Sequence, residues 1–259
     1  MSAAPGVAPV IADEVVTEVA RADPDRWRAT MLAPPEARPG LLALYAFNLE
    51  IARAPFVSRE AMIAEIRLRW WGDAIAEICD GAAPRRHEVV EPLAAAIRAS
   101  GLPRALFFEM IEARALDIDR APFESGAALE RYLSQTAGHL MELAARHLGA
   151  GAAALPVIRD FARGAGHAAW LRALPDLAAH GRGGLPPGVT APDLARDGLA
   201  LITRARARRA EVPAAAAPAL LAGALAAPRL ARAMRGASME LSEFQARATW
   251  LWRGLTGRW

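Results

Sequence analysis

Apolar residues recur every three or four positions along nearly the whole chain, and no stretch keeps the strict alternation of a half-buried strand. Residues 10–32 put Ile11, Val15 and Val19 on one side of a helix. Residues 38–53 predict a second helix, closed by Pro55, which disfavours helical geometry at Ala54. Ser58 is an N-cap candidate for a third, with Glu60 in its first turn against the positive end of the helix dipole. That helix carries Met62, Ile63, Ile66, Trp70 and Ile78 and stops near Gly81. Pro103, at a tolerated first-turn position, opens "RALFFEMIEARALDID". Ser125 begins another helix, in which Leu129, Leu133, Leu140, Leu143 and Leu148 trace a stripe that Gly149 ends. Further helices are predicted at 154–173, 191–210, 216–235 and 238–256, with "HGRGGLPPG", 180–188, as a loop. No repeat period and no linker divides the pattern, so the expectation is one all-α domain.

Composition sharpens this picture. The 259 residues can bury a substantial core, and alanine, leucine, arginine and glutamate are the residues least costly to fix in a helix. The 31 positive residues are all arginine, yet 28 carboxylates leave a net charge of only +3. With no basic patch interleaved with aromatics, a nucleic-acid partner is not expected. Cys79 is the single cysteine, which excludes an internal disulfide and a cysteine-based zinc site. The leading "MSAAPGVAPVIADEVV" lacks a basic leader, and "VPAAAAPALLAGALAAP", 212–228, is short and proline-interrupted for a bilayer span. The expected location is the cytoplasm, with peripheral contact at the inner face of the cytoplasmic membrane.

Three segments then carry a resemblance. "LLALYAFNLEIA" followed by "IRLRWWGDAIAEICDG", then "IEARALDIDRAPFESGAALERYLSQTAGHLMELAARHLGA", then "GHAAWLRALPDLAAHGRGGLP" resemble, in order and spacing, the squalene and phytoene synthase family over roughly residues 25–190. The resemblance implies the all-α isoprenoid synthase bundle. It also implies head-to-head condensation of two prenyl diphosphates, with two aspartate-rich helical motifs facing each other across a pocket. Aspartates four apart share a helix face, and magnesium bridges such carboxylates to substrate phosphates.

The departures from that pattern change the expected chemistry. The first-motif aspartate positions, after Tyr45-Ala46-Phe47, fall on Ala52, Arg53 and Phe56. The second-motif positions, after Arg172, fall on Ala173 and Leu177, with Asp176 one residue off and Pro175 beside it. A cation brought towards Arg53 without carboxylates meets repulsion of about 1 kcal/mol in water at about 4 Å, and several in a partly buried cleft. Asn48 and Glu50, with Arg172 through Pro175, instead resemble a subfamily without the aspartates, that of the assembly factors for respiratory complex I and their bacterial relatives. The resemblance implies a catalytically silent cleft built from Tyr45, Asn48, Glu50, Ala52, Arg53, Glu112, Asp117, Arg172, Ala173 and Asp176. It implies no metal and no resident cofactor, with subunits or assembly intermediates of complex I as partners. The competing readings are a prenyl diphosphate synthase with altered ligands, which would need magnesium, and a lipid- or isoprenoid-binding protein.

Other constellations have plainer readings. Trp70 and Trp71 point about 100° apart on a helix, so one packs in the core and the other lies in a groove. His139 and Glu142 have a spacing that can ligate metal, but Glu142 with Arg146 is more simply an i,i+4 ion pair. "RARARRAE" reads as a solvated face or as attraction to anionic lipid, and "GRGG", 181–184, as an ordinary loop or a phosphate cradle. "TWLWRGLTGRW" suits a membrane interface, a partner surface, or burial of Trp250 and Leu251 in the bundle.

Overall fold

The 10–32 pattern is two helices rather than one: α1 (Asp13–Ala22) and α2 (Pro24–Met31). Asp23 leaves helical geometry between them and accepts the Arg26 N–H with its side chain, while Pro24 starts α2 where a missing N–H costs nothing. The computed structural model describes residues 11–259, and among them every regular element is helical. The reading of the first ten residues lies outside the described ones. α3 (Arg38–Arg53) runs into a 3-10 turn at Ala54–Phe56. In α4 (Ala61–Cys79) the N-cap position falls on Glu60, which makes no side-chain cap, and not on Ser58, whose hydroxyl accepts the Glu60 N–H at 3.1 Å in the turn before. Of the apolar residues noted along α4, only Ile78 is fully buried. Leu68, Trp71, Ile75 and Ile78 are buried, whereas Met62 and Ile66 are 70% and 59% exposed. Each stripe carries a tryptophan at helical spacing, and the fold buries the one whose Trp71 packs on Phe47 at 5.4 Å.

α5 (Val90–Ser100) was not predicted, although Val90, Leu93, Ala94 and Ile97 recur at helical spacing and Gly101 caps it at φ 56°. α6 (Arg104–Ala115) follows Pro103. α7 (Gly126–Leu133) begins at Ser125, whose side chain accepts the Ala128 N–H, and continues through a π-helical turn, Ser134–Gly138, into α8 (His139–His147). α9 (Leu155–Ala179) runs six residues past its predicted end, straight through Pro175. Pro175 is exposed and one turn from the end, where its missing N–H costs the helix only the bond to the Leu171 carbonyl. α10 (Ala191–Ala207) follows its Thr190 cap. The predicted 216–235 helix is broken into α11 (Ala217–Leu221) and α12 (Ala226–Ala233). α13 (Glu243–Thr256) starts five residues late, because Ser242 and Gln245 form a capping box there.

One contiguous core joins residues from α1 to α12, and α9 is its axis. α9 lies so close along α10 that a Cβ on Gly164 would sit 2.6 Å from the Gly198 carbonyl oxygen. No single described helix is long and apolar enough to cross a membrane; the bent pair Ala214–Leu221 and Ala226–Ala233 passes by length and composition together, and here Leu220, Leu221 and Leu230 lie in the core.

Glu142 shows how the bundle accommodates a buried charge. Its side chain is 1% exposed and receives Arg159 at 2.6 Å and Arg146 at 2.9 Å. Burial raises the pKa of this carboxyl, but hydrogen bonds from Arg159 and Arg146 outweigh it and hold it below the ordinary value of 4.5. The stabilisation is therefore complete above that value and is lost as pH falls through the lower, folded-state pKa. Wild type should lose more of its urea midpoint between about pH 6 and about pH 3.5 than Glu142→Gln does. Equal losses would place the acid sensitivity elsewhere.

Candidate functional site: a cavity between two carboxylate-free helix faces

Asn48 and Ala52 lie four apart on α3 and share one face; Ala173 and Leu177 do the same on α9. The two faces meet across a cavity of about 260 Å³, with Phe56 at the end of the α3 wall. Ala52, Phe56, Ala173 and Leu177 are four of the five positions expected to correspond to metal-binding aspartates, and all four line this one space. The walls that bring them together are uncharged.

Charge enters the cavity from other elements. Asp117, which follows α6, is 1% exposed, and its Oδ2 accepts the Tyr132 hydroxyl at 2.7 Å. Arg182 Nε stands 3.0 Å from Asp117 Oδ1, both side chains being almost wholly buried. Arg114 donates to the Tyr132 oxygen at 2.5 Å and lies 3.6 Å from Asp117. The Arg182 guanidinium sits over the rings of Phe123 and Trp170, at 4.6 and 5.8 Å, and donates to the Ala121 carbonyl. Asp117 is thus already engaged by a phenol and two guanidinium groups, and burial pushes the Tyr132 phenol well above its ordinary value. On the opposite side Arg26, ion-paired with Asp23, lies 5.7 Å from the centre of the Tyr45 ring. A second, smaller cavity of about 80 Å³ shares Arg26, Ala137, Gly166 and Ala169 with the first and adds Arg172 and Arg229. There Asp25 receives Arg229 at 3.0 Å and the Trp250 indole N–H at 3.3 Å.

The expected site residues therefore separate into groups. Asn48, Ala52, Asp117 and Ala173 line the main cavity, Arg172 lines the smaller one, and Tyr45 is buried behind Arg26. Glu50, Arg53, Glu112 and Asp176 do not line it. Glu50 lies about 200° around α3 from Asn48 and faces a separate groove with Ile66, Trp70, Trp71 and His87. Arg53 turns outward and pairs with Glu18, so the repulsion expected from it falls to Arg26 and Arg114 instead. Glu112 and Asp176 are exposed on the outer faces of their helices.

Arg26, Arg114, Tyr132 and Arg182 were missed, because each comes from a different segment and no local spacing links them. Arg182 stands in "GRGG", where it is a buried ion-pair partner of Asp117. Trp71 is buried and packs on Phe47 at 5.4 Å, while Trp70 is partly exposed with the Arg85 guanidinium 5.2 Å from its ring centre; both nevertheless border the groove beside His87. His139 meets Glu109 at 2.6 Å. Arg204 in "RARARRAE" pairs with Asp160 at 2.7 Å. Burial raises the Cys79 thiol, which suits a packing role rather than a nucleophile.

Comparison with known proteins agrees with this architecture. The chain is similar to a dehydrosqualene synthase solved in complex with ligand, with TM-score 0.75 and 14% identity over 92% of this chain and 93% of that one. It is similar to squalene synthase HpnC from Alicyclobacillus acidocaldarius, with TM-score 0.71 and 18% identity over 86% and 93%. Such identities show a shared fold. By sequence it is 28% identical over 128 residues to the NADH dehydrogenase (ubiquinone) complex I assembly factor 6 of Mus musculus, and 27% identical to that of Homo sapiens. These matches cover 49% of this chain and only 38% of those relatives. The squalene/phytoene synthase family model matches residues 19–253, nearly the full length, and the chain belongs to that family.

Proposed function

We propose that this protein is a non-catalytic member of the squalene/phytoene synthase family that helps assemble respiratory complex I, the NADH dehydrogenase. The observation that carries the reading is the cavity wall: Ala52, Phe56, Ala173 and Leu177 face one another where a synthase would need paired carboxylates. Magnesium demands near-octahedral oxygen ligands, drawn from carboxylates and substrate phosphates. The oxygen donors around this cavity are the Asn48 amide, the Tyr132 phenol, the Thr136 hydroxyl and Asp117. Thr136 donates to the Tyr132 carbonyl at 2.7 Å, and Asp117 is held by Arg182, Arg114 and Tyr132. That donor set does not fit a magnesium cluster. Without the metal, stabilisation of a departing diphosphate loses several kcal/mol. The similarity to complex I assembly factors over half the chain supports the choice of partner.

Two measurements test the proposal. Purified protein given farnesyl or geranylgeranyl diphosphate with magnesium should release no diphosphate above background, beside an active synthase as control. Release would overturn the non-catalytic reading in favour of a synthase with altered ligands. Membranes from a strain lacking the gene should lose most of their NADH:quinone activity and regain it when the gene is restored. Unchanged activity would overturn the assembly role.

A further inference from the structure

α13 lies on the outside of the bundle and buries none of its own residues. Phe244, Leu251 and Leu255 are 81%, 65% and 79% exposed. With Ala248 they repeat at i, i+4, i+7 and i+11, a stripe about 16 Å long on one face of the helix. Trp252, 62% exposed, stands on the shoulder of this stripe. Of the alternatives open for this segment, burial does not hold for Leu251, and the terminal tryptophans divide. Trp250 turns in to Asp25, Trp259 packs on Phe161 at 4.9 Å, and Trp252 faces out. Between the stripe and α12 runs a groove of about 470 Å³, lined by Pro228, Leu241 and Phe244 with Arg232 and Arg235.

The charge around this face is one-sided. Residues 232–259 hold five arginines and two glutamates, so this segment alone accounts for the chain's net +3, and the rest is balanced. Arg235, Arg247 and Arg258 are exposed, and Glu243 is already paired with Arg247 at 2.9 Å. A second copy seated face to face would set this positive segment against itself. An anionic bilayer satisfies both features: the stripe enters the acyl boundary, Trp252 sits at headgroup level, and the arginines meet lipid phosphates.

We propose that α13 docks this protein on an anionic lipid surface through the Phe244–Leu251–Leu255 stripe and its arginine rim. The inference stands without the assembly role. The full chain is centrifuged with vesicles of phosphatidylcholine containing phosphatidylglycerol, and with vesicles of phosphatidylcholine alone. Binding is expected on the anionic vesicles, about tenfold weaker on the neutral ones and weakened by salt. Phe244→Ser, Leu251→Ser and Leu255→Ser together should weaken it at least about tenfold. Arg247→Glu with Arg258→Glu should abolish the preference for the anionic vesicles. All five side chains are exposed, and unchanged thermal melts check that the variants fold. No binding to anionic vesicles, or binding indifferent to the serine substitutions, would overturn the proposal. So would a dimer that the same substitutions dissolve in the absence of any vesicle binding, which would assign the face to a second copy.

Discussion

Asp117→Ala should melt roughly 10 °C below wild type, a loss of about 3–5 kcal/mol. The cause is what remains rather than what is removed. Arg182, with 1% of its side chain exposed, would keep its charge in the protein interior with only the Ala121 carbonyl and two aromatic faces to answer it. Arg114 and the buried Tyr132 hydroxyl would lose their common acceptor as well. Removing both charges removes that penalty, so Asp117→Leu with Arg182→Met should recover much of the loss. A thermal melt of the three proteins decides the matter. If Asp117→Ala melts within a degree or two of wild type, this cluster is not what holds the loop after α6 to the loop after α9.

Gly164→Ala is expected to cost about 1–3 kcal/mol or more, as overpacked cores do. The added methyl would meet the Gly198 carbonyl oxygen at 2.6 Å and Ile202 Cγ1 at 2.7 Å. The first of these is backbone and cannot rotate aside, so α9 and α10 must separate along the most extensive helix pairing in the bundle. Gly72 on α4 is the control. A methyl there meets only Phe108 Cε1, at 3.9 Å, and replacing a mid-helix glycine by alanine gains about 0.5–1 kcal/mol. Urea denaturation of the two variants should move the midpoint in opposite directions. A tolerated Gly164→Ala would mean that the two helices can slide apart freely.

Most of the helices were legible because one periodicity runs through the chain, and the errors have local causes. The break at Asp23–Pro24 carried its own signal, an aspartate cap before a first-turn proline, which the continuous spacing of Ile11, Val15 and Val19 concealed. α5 was overlooked because alanines occupy a third of its buried positions and Pro92 stands among them, which makes a weak stripe. On α4 two apolar stripes compete, and only the packing against Phe47, itself packed on Phe107, selects that of Trp71. At the cavity, the family resemblance led to Ala52, Phe56, Ala173 and Leu177, because those positions are fixed by register along two helices. The charged residues were not accessible in that way. Arg26, Arg114, Tyr132 and Arg182 are brought together by tertiary folding alone, and Arg53 was misplaced by one residue's rotation about α3.

The π-helical turn at Ser134–Gly138 has a consequence for descent. Such a turn holds one residue more than an α-helix of the same rise, so everything beyond it is rotated by roughly 100°. Glu142 reaches Arg159, and His147 reaches Ser100 at 2.8 Å, only with that extra residue in place. A lineage that lost one codon here would keep an uninterrupted helix yet turn both side chains away from their partners. Relatives should therefore either retain the segment at full length or have changed both sets of contacts together, and a gap of one residue here marks an inherited event, not noise in the comparison.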